Sequence, residues 1–563
     1  MPFSPSYTAL DRQSFRIFLM GTSAKEEFLQ LKRLSQIVAV GWALWWSAVN
    51  LASAAPIQVH VIEQDPYKII QVKTDLMNYQ FSTRTGALES AYIHFKTFDT
   101  FHAELLPDVN TDPQTFFATA TQEAVFPFQL NYDTPEAPPY EVTWEETAQE
   151  HLELRFTRTV GGLQVTKGYV IFNDPYYRSQ FKLTLTNLGD APTAQGYTMT
   201  FAPGLSQVQQ ANEAYLFDQK RHETALGPSQ YGSFGGLGFL GQGLALFLKN
   251  ETPPAPSDQR IIPWFHIDGQ GRKVMGVQVE SALNPGERLE HSFLLYAGRW
   301  KYVLMEQSGL GEVAGVGTFS QFLIPMIRFL DWLYAQLGNY GWAIIIFTLL
   351  TRVILFPMLR QQFHSMAKMR AVQPKMMRLR ERYPGLAELR KTHKDMDLGE
   401  MQSRARENRE KLNKKTMELY QREGVNPLSG CLPSLLQIPI LIILWRTILY
   451  SAESIHFSPG FLWMGDLSQP DPYFILVGLT AVAMVLQTKL TPQAAATGQN
   501  QMLMWLFPLM MAFFLKDFPS GLWLYYFLTT VIQVLQQVII NWEIAQKKPA
   551  PVAVEQEPED EAA

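Results

Sequence analysis

A single cysteine, Cys431, stands in 563 residues, so no internal disulfide staples the fold. Exported domains fold without bridges, so this leaves the compartment open. Cys431 lies in an apolar run and reads as a small packing residue rather than a reactive thiol. Metal-ligand spacing is missing too. His60, His94, His102, His151, His222, His266 and His291 are scattered through 56–318 without the short intervals of a zinc site. The Gly-rich run "SFGGLGFLGQG" (233–243) leads into the strand-like "LALFLKN" rather than a helix, so it reads as a loop and not as a phosphate cradle. No convergent acid and base pair marks the same region as a glycan-processing enzyme. No internal repeat is visible, and paired repeats with broken helices are the signature of many solute transporters. These absences imply no metal and no cofactor.

What is present falls into two populations. Residues 56–318 are polar and broken into alternating runs such as "LELRFTRTV", "QVTKGYVIF" and "RSQFKLTLTNL", separated by turn signals such as "NDP" and "LGDAP". Period two with such turns predicts a large antiparallel β-sandwich. Beyond 319, long apolar runs dominate. Spans are expected at 339–359, 428–450, 473–489, 502–515 and 522–542, the last two as a hairpin through "KDFPSG". An earlier uncharged stretch, 34–55, follows a polar leader at 1–33 and is long enough to cross a bilayer. Its "ASA" end also reads as a signal-peptidase site, so anchor and cleaved signal both stand, as do Met1 and Met20 as starts.

Charge orients these spans. Residues 360–427 carry 17 Lys+Arg against 9 Asp+Glu, whereas 56–318 carry 18 against 29. The positive-inside rule puts 360–427 in the cytosol and 56–318 outside. Six crossings with both termini inside satisfy all of this, within 428–543 for spans three to six. Residues 319–338, "FSQFLIPMIRFLDWLYAQLG", show helical apolar spacing with Arg328 and Asp331 on the other side, the pattern of an interfacial amphipathic helix. The tail 544–563 is acidic and reads as disordered.

Two features carry chemistry. The cytosolic segment reads as a helical hairpin, with Met366, Met369, Met376 and Met377 roughly along one side of its first helix. Adaptable thioethers suit a surface that meets many apolar sequences, or they seal the two helices together. Its positive charge suits lipid headgroups or ribosomal RNA, but no base-stacking aromatics accompany it, which argues against a specific nucleic-acid site. The second feature is Arg352, the one charge in "AIIIFTLLTRVILFPML" (343–359). An arginine at the centre of a bilayer helix costs from about 3 to more than 10 kcal/mol. Thr348 shares its helix face. Arg360 is eight residues on, about 12 Å away along a helix, which makes snorkelling a stretch. Gln437 in one span and Thr529, Gln533, Gln536 and Gln537 in the last would line a hydrated recess with it. Arg446 lies near the outer end of its span and is expected to point outward.

In order and spacing, "FTLLTRVILFPM", "SMAKMRAVQPKMMRLRERY", "NPLSGCLPSLLQIPI" and "FPSGLWLYYFLTTVIQVLQQ" resemble the YidC/Oxa-type membrane protein insertases over about 320–543. "VKTDLMNYQFSTRTGALESAYI" (72–93) extends the resemblance to the Gram-negative YidC form. The resemblance implies a polytopic helical protein of the inner membrane. It would have a five-helix insertase core, an N-terminal span and an all-β periplasmic supersandwich. It implies no enzymatic step and no nucleotide. It implies a groove in which Arg352 attracts the polar tail of an incoming protein, with Thr348 and Tyr526 in contact, and a cytosolic hairpin that receives clients. Implied partners are nascent inner-membrane proteins, lipid and the Sec translocon. A ribosome contact through the tail gets no support, because relatives that use one have a long basic tail. The rival reading is an anion or solute transporter with Arg352 as the anion site.

Overall fold

The computed structural model describes residues 56–546 apart from 98–101, 121–123, 148–150, 194–195, 203, 206–212, 218–220, 223–233, 242, 254–260, 269–271, 315–319, 393–395, 425–431 and 491–497. The polar leader, the first expected span, Cys431 and the tail beyond 546 lie outside the described residues.

In the N-terminal part, sequence alternation becomes sheet. Leu163–Phe172 alternates buried and half-buried residue by residue. It pairs antiparallel with His151–Val160 on one side and Arg178–Asn187 on the other. With Arg288–Arg299 these strands form the middle of a nine-stranded antiparallel sheet. A five-stranded sheet lies within 58–104, and a four-stranded sheet includes Tyr197–Ala202 and Lys273–Val279. One apolar core runs through all three, from Ile70 and Phe81 through Phe181 and Phe293 to Met199 and Val277. Phe81 and Phe156 meet with ring centroids 5.9 Å apart, and Phe128 stacks on Phe181 at 4.0 Å.

An ionic cluster is buried in that core. The Lys167 amine donates to Asp133 Oδ2 at 2.6 Å and to the carbonyls of Thr85 and Phe128. Arg158 pairs with the other Asp133 oxygen and stacks 4.0 Å over the Tyr140 ring. Burial pushes the Lys167 amine down to about 8, against the pull of Asp133. A buried charge is tolerated when its donors and acceptors are met this fully.

Eleven helices are described. Two short ones close the β-domain: α1 (Tyr302–Gln307) and α2 (Gly311–Ala314). Next, α3 (Ser320–Leu337) turns Leu323, Ile327, Leu330 and Leu333 inward at helical spacing. Its Trp332 is exposed and stacked on Phe329. Asn339 caps α4 (Tyr340–Arg382), accepting from the Gly341 N–H. This helix runs 43 residues through Pro357 and Pro374, so the apolar run and the first part of the basic segment are one rod. Then come α5 (Leu386–Thr392), α6 (Leu398–Arg422, capped by Asp397), α7 (Leu432–Tyr450), α8 (Ala452–His456), α9 (Ile475–Leu490), α10 (Gly498–Leu515) and α11 (Ser520–Gln546). Tyr340–Gln361 and Ser520–Glu543 are long and apolar enough to cross a bilayer; Ile438–Tyr450 and Ile475–Lys489 are shorter apolar stretches.

The β-domain and the helices meet at Glu453. This carboxylate at the start of α8 is fully buried. The Lys301 amine donates to both its oxygens, at 3.0 and 2.7 Å, and to the Leu449 carbonyl. The Tyr177 hydroxyl donates to it at 3.3 Å, and Arg299 Nε lies 3.8 Å away. Phe95 and Ala452 join the core beside it, and the His456 ring packs 4.6 Å from Phe95.

Because Lys301 and Arg299 are buried too, Glu453→Gln leaves cations without their counter-charge and is expected to cost about 3–5 kcal/mol. Thermal unfolding of the detergent-solubilised protein reads this. Adding Lys301→Met to Glu453→Gln removes one of the two stranded cations and should regain part of the loss, and no recovery would show that the Lys301–Glu453 pair is not its source. Nearby, burial alone would lower the His456 pKa, but Asp466 Oδ2, 2.8 Å from Nδ1, outweighs it and holds the value above 6.5. A raised folded pKa stabilises fully below pH 6.5, and the contribution fades as pH rises through the folded value. His456→Gln should flatten that part of the stability–pH curve; an unchanged slope contradicts the assignment.

Candidate functional site

Without lipid around it, a helix face that meets hydrocarbon shows as exposed. On α4, Val353 and Ile354 are 71% and 74% exposed, whereas Arg352 is 3% exposed. Thr348, Phe347, Ile344 and Leu359 are buried along the same side. Arg352 therefore faces the interior of the helical bundle. Its neighbour there is Tyr525 on α11: the guanidinium donates to the phenol, and Tyr526 lies close. Tyr525 is itself fully buried, 6.2 Å from the Phe347 ring.

The direction of the side chain follows from helix register. Gly521 lets α11 close on α4: a Cβ there would sit 3.1 Å from Ile344 Cδ1. Eight residues further along both helices, Arg352 is level with Thr529. Its partner Tyr525 lies one turn back toward the helix starts. The arginine thus reaches away from the basic segment that begins at Arg360, the opposite of snorkelling toward it.

Polar groups continue along this interior. The hydroxyls of Thr348, Thr447, Thr480 and Thr530 each donate to the carbonyl four residues earlier. That internal bond is the economical way to carry a hydroxyl in a helix with no water beside it. On α11 the Thr529 hydroxyl and the Gln536 carbonyl oxygen depart from the pattern, buried with no hydrogen bond among the described residues. Gln533 accepts from the Gln487 amide at 3.0 Å, which ties α11 to α9.

Of the residues singled out from sequence, Thr348 and Arg352 are buried together on α4, while Tyr526 and Gln533 are half-buried on α11. Gln437 falls in α7, with its side chain outside the described residues, as are those of Met366 and Met369. Met376 is half-buried and Met377 exposed. Arg446 is exposed, 5.4 Å over the Trp445 ring. Sequence reading passed over Tyr525 and Gln487. The four-residue step from Tyr525 to Thr529 places both on one helix face and is the signal that finds the tyrosine. Gln487 has no such local marker, since its partner is on another helix.

A buried guanidinium is a poor contributor to stability, because its desolvation is repaid only in part by a neutral phenol. Arg352→Met, similar in length and apolar, should keep or raise the melting temperature while removing whatever the charge does. A large destabilisation would mean that the arginine is a packing element.

The family model described as "60Kd inner membrane protein" matches residues 332–547, which hold every helix just described from the end of α3 onward. Among curated proteins, the chain is similar to the membrane protein insertase YidC of Paraburkholderia phymatum, 30% identical over 404 residues covering 69% of each chain. It is also similar to that of Paraburkholderia xenovorans, 29% identical over 500 residues and 85% of each. With the YidC of Wolinella succinogenes it is 36% identical over 296 residues, 52% of this chain and 51% of the relative, so that match spans about half of the relative's length.

Proposed function

We propose that this chain, which belongs to the YidC family of membrane protein insertases, moves the polar flank of a client across the inner membrane by way of the interior site at Arg352. The observation that carries the proposal is a positive charge turned into the bundle rather than toward lipid or the basic segment.

A polar tail must shed water to cross about 30 Å of hydrocarbon. A recess entered from the cytosol shortens that path. Arg352 offers such a tail a counter-charge in a medium where attraction is stronger than in water. Thr348, Tyr525 and Tyr526 border it, Gln533 extends the polar lining, and the unsatisfied Thr529 and Gln536 oxygens would accept from water or from the passing chain. The exposed apolar residues of α7 and α11, Ile438, Ile442, Leu535 and Ile539 among them, would let the client's hydrophobic segment pass sideways into lipid. Its transfer, at about 25 cal/mol per Å² removed from water, supplies the driving force. No covalent step and no nucleotide enters. On this reading α6 and the basic end of α4, with Met366, Met369, Met376 and Met377, receive clients in the cytosol. Residues 56–318 are periplasmic, both termini are cytosolic, and the protein acts alone or beside the Sec translocon.

Purified protein in otherwise protein-free liposomes is the test. A single-span client with an acidic tail should acquire protease protection of that tail. Arg352→Ala should reduce the yield about tenfold or more, the scale of a lost charge-assisted contact in a desolvated site. Equal protection in empty liposomes would reject the proposal.

A further inference from the structure

Two turns beyond Arg352, α4 carries a second arginine that reaches the other way. Arg360 Nη2 donates to Glu543 Oε1 at 2.5 Å, joining α4 to the last turns of α11 across 183 residues of sequence. Arg360 is 48% and Glu543 28% exposed, where the apolar run of α4 gives way to the basic segment. The two helices it joins are the two that hold Arg352 and Tyr525. The pair therefore bridges the seam between them at the end nearer the basic segment.

We propose that this ion pair is an exchangeable latch that selects clients by the charge of their tail. It rests on the reading of Arg352 as the inner attraction point and adds an outer one. An exposed pair contributes little net stability, because water competes for both partners and two long side chains must be held in one geometry. A carboxylate arriving on a client tail replaces Glu543 on Arg360 at small cost, since one like-for-like contact is exchanged for another. The seam is then no longer bridged, and the displaced Glu543 sits as a like charge beside the tail. That repulsion disfavours a tail resting at Arg360. Arg352, about 12 Å further along α4 and shielded from water, is the next cation available to it. A tail without acidic groups has nothing to exchange and gains nothing from the latch.

The experiment compares insertion rates of two clients that differ only in tail charge, one with two acidic residues and one with none. Liposomes of zwitterionic lipid keep anionic headgroups from competing for Arg360. Glu543→Gln frees Arg360 and is expected to speed capture of the acidic-tail client about two- to fivefold, the range an exposed pair commands. The uncharged-tail client should be unchanged. Arg360→Gln should slow the acidic-tail client, and in that background Glu543→Gln should have no further effect. Equal effects on both clients, or independent effects of the two substitutions, would overturn the latch. If the unsubstituted protein inserts neither client above empty liposomes, the insertase reading itself fails. If it inserts both and responds to Arg352→Ala but not to Glu543→Gln, the latch alone fails.

Discussion

A carboxylate with no access to water joins the β-domain to the helices. Glu453 is met by Lys301, Arg299 and Tyr177 from the β-domain, at positions 152 to 276 residues away in sequence. Taking such charges out of water is repaid only when every partner is in place. The end of α7 and the whole of α8 are therefore set by the sandwich as much as by their own sequence. The segment that follows is fixed to the same base: Gln469 donates to the Lys96 carbonyl, and the Ser520 and Gly521 N–H groups donate to the Gln469 and Leu467 carbonyls. Through that chain of contacts the start of α11, and with it Tyr525, is referenced to the sandwich.

The interior arginine is tolerated because its surroundings are closely packed and internally hydrogen-bonded. Gly521 brings α11 against Ile344, and buried threonines satisfy their own hydroxyls. The phenol of Tyr525 is the neighbour that Arg352 meets there. A neutral partner orients a guanidinium without cancelling its charge. A carboxylate in the same place would have made a closed ion pair.

Legibility in the sequence followed the range of the interactions. Alternation in "LQVTKGYVIF" marked a strand because period two is local, and the structure has it as Leu163–Phe172. Which strands neighbour one another was not legible, since Arg178–Asn187 pairs with Arg288–Arg299 across a hundred residues. Arg352 stood out because one charge in an apolar run needs a reason. Tyr525 did not, being one aromatic among many until a partner singled it out. The Glu453 cluster gave no signal, as Glu453, Lys301 and Arg299 each read alone as an ordinary surface charge. The continuity of α4 was hidden by composition: the run turns basic at Arg360 and contains Pro357 and Pro374, both of which suggest a break. A proline removes one backbone bond, and in long helices neighbouring contacts absorb that loss.

That unbroken rod has a mechanical consequence. At 1.5 Å per residue, 43 residues span about 64 Å, roughly twice the thickness of a bilayer's hydrocarbon. Lys375, tied to Glu423 just past the end of α6, sits more than 30 residues from the capped and anchored start at Asn339. A few degrees of swing at the anchored end is therefore magnified into several ångströms where the two basic helices are tied. Whatever pushes on the far end acts as a hand on a long tiller, and the cation partway along its length moves with it.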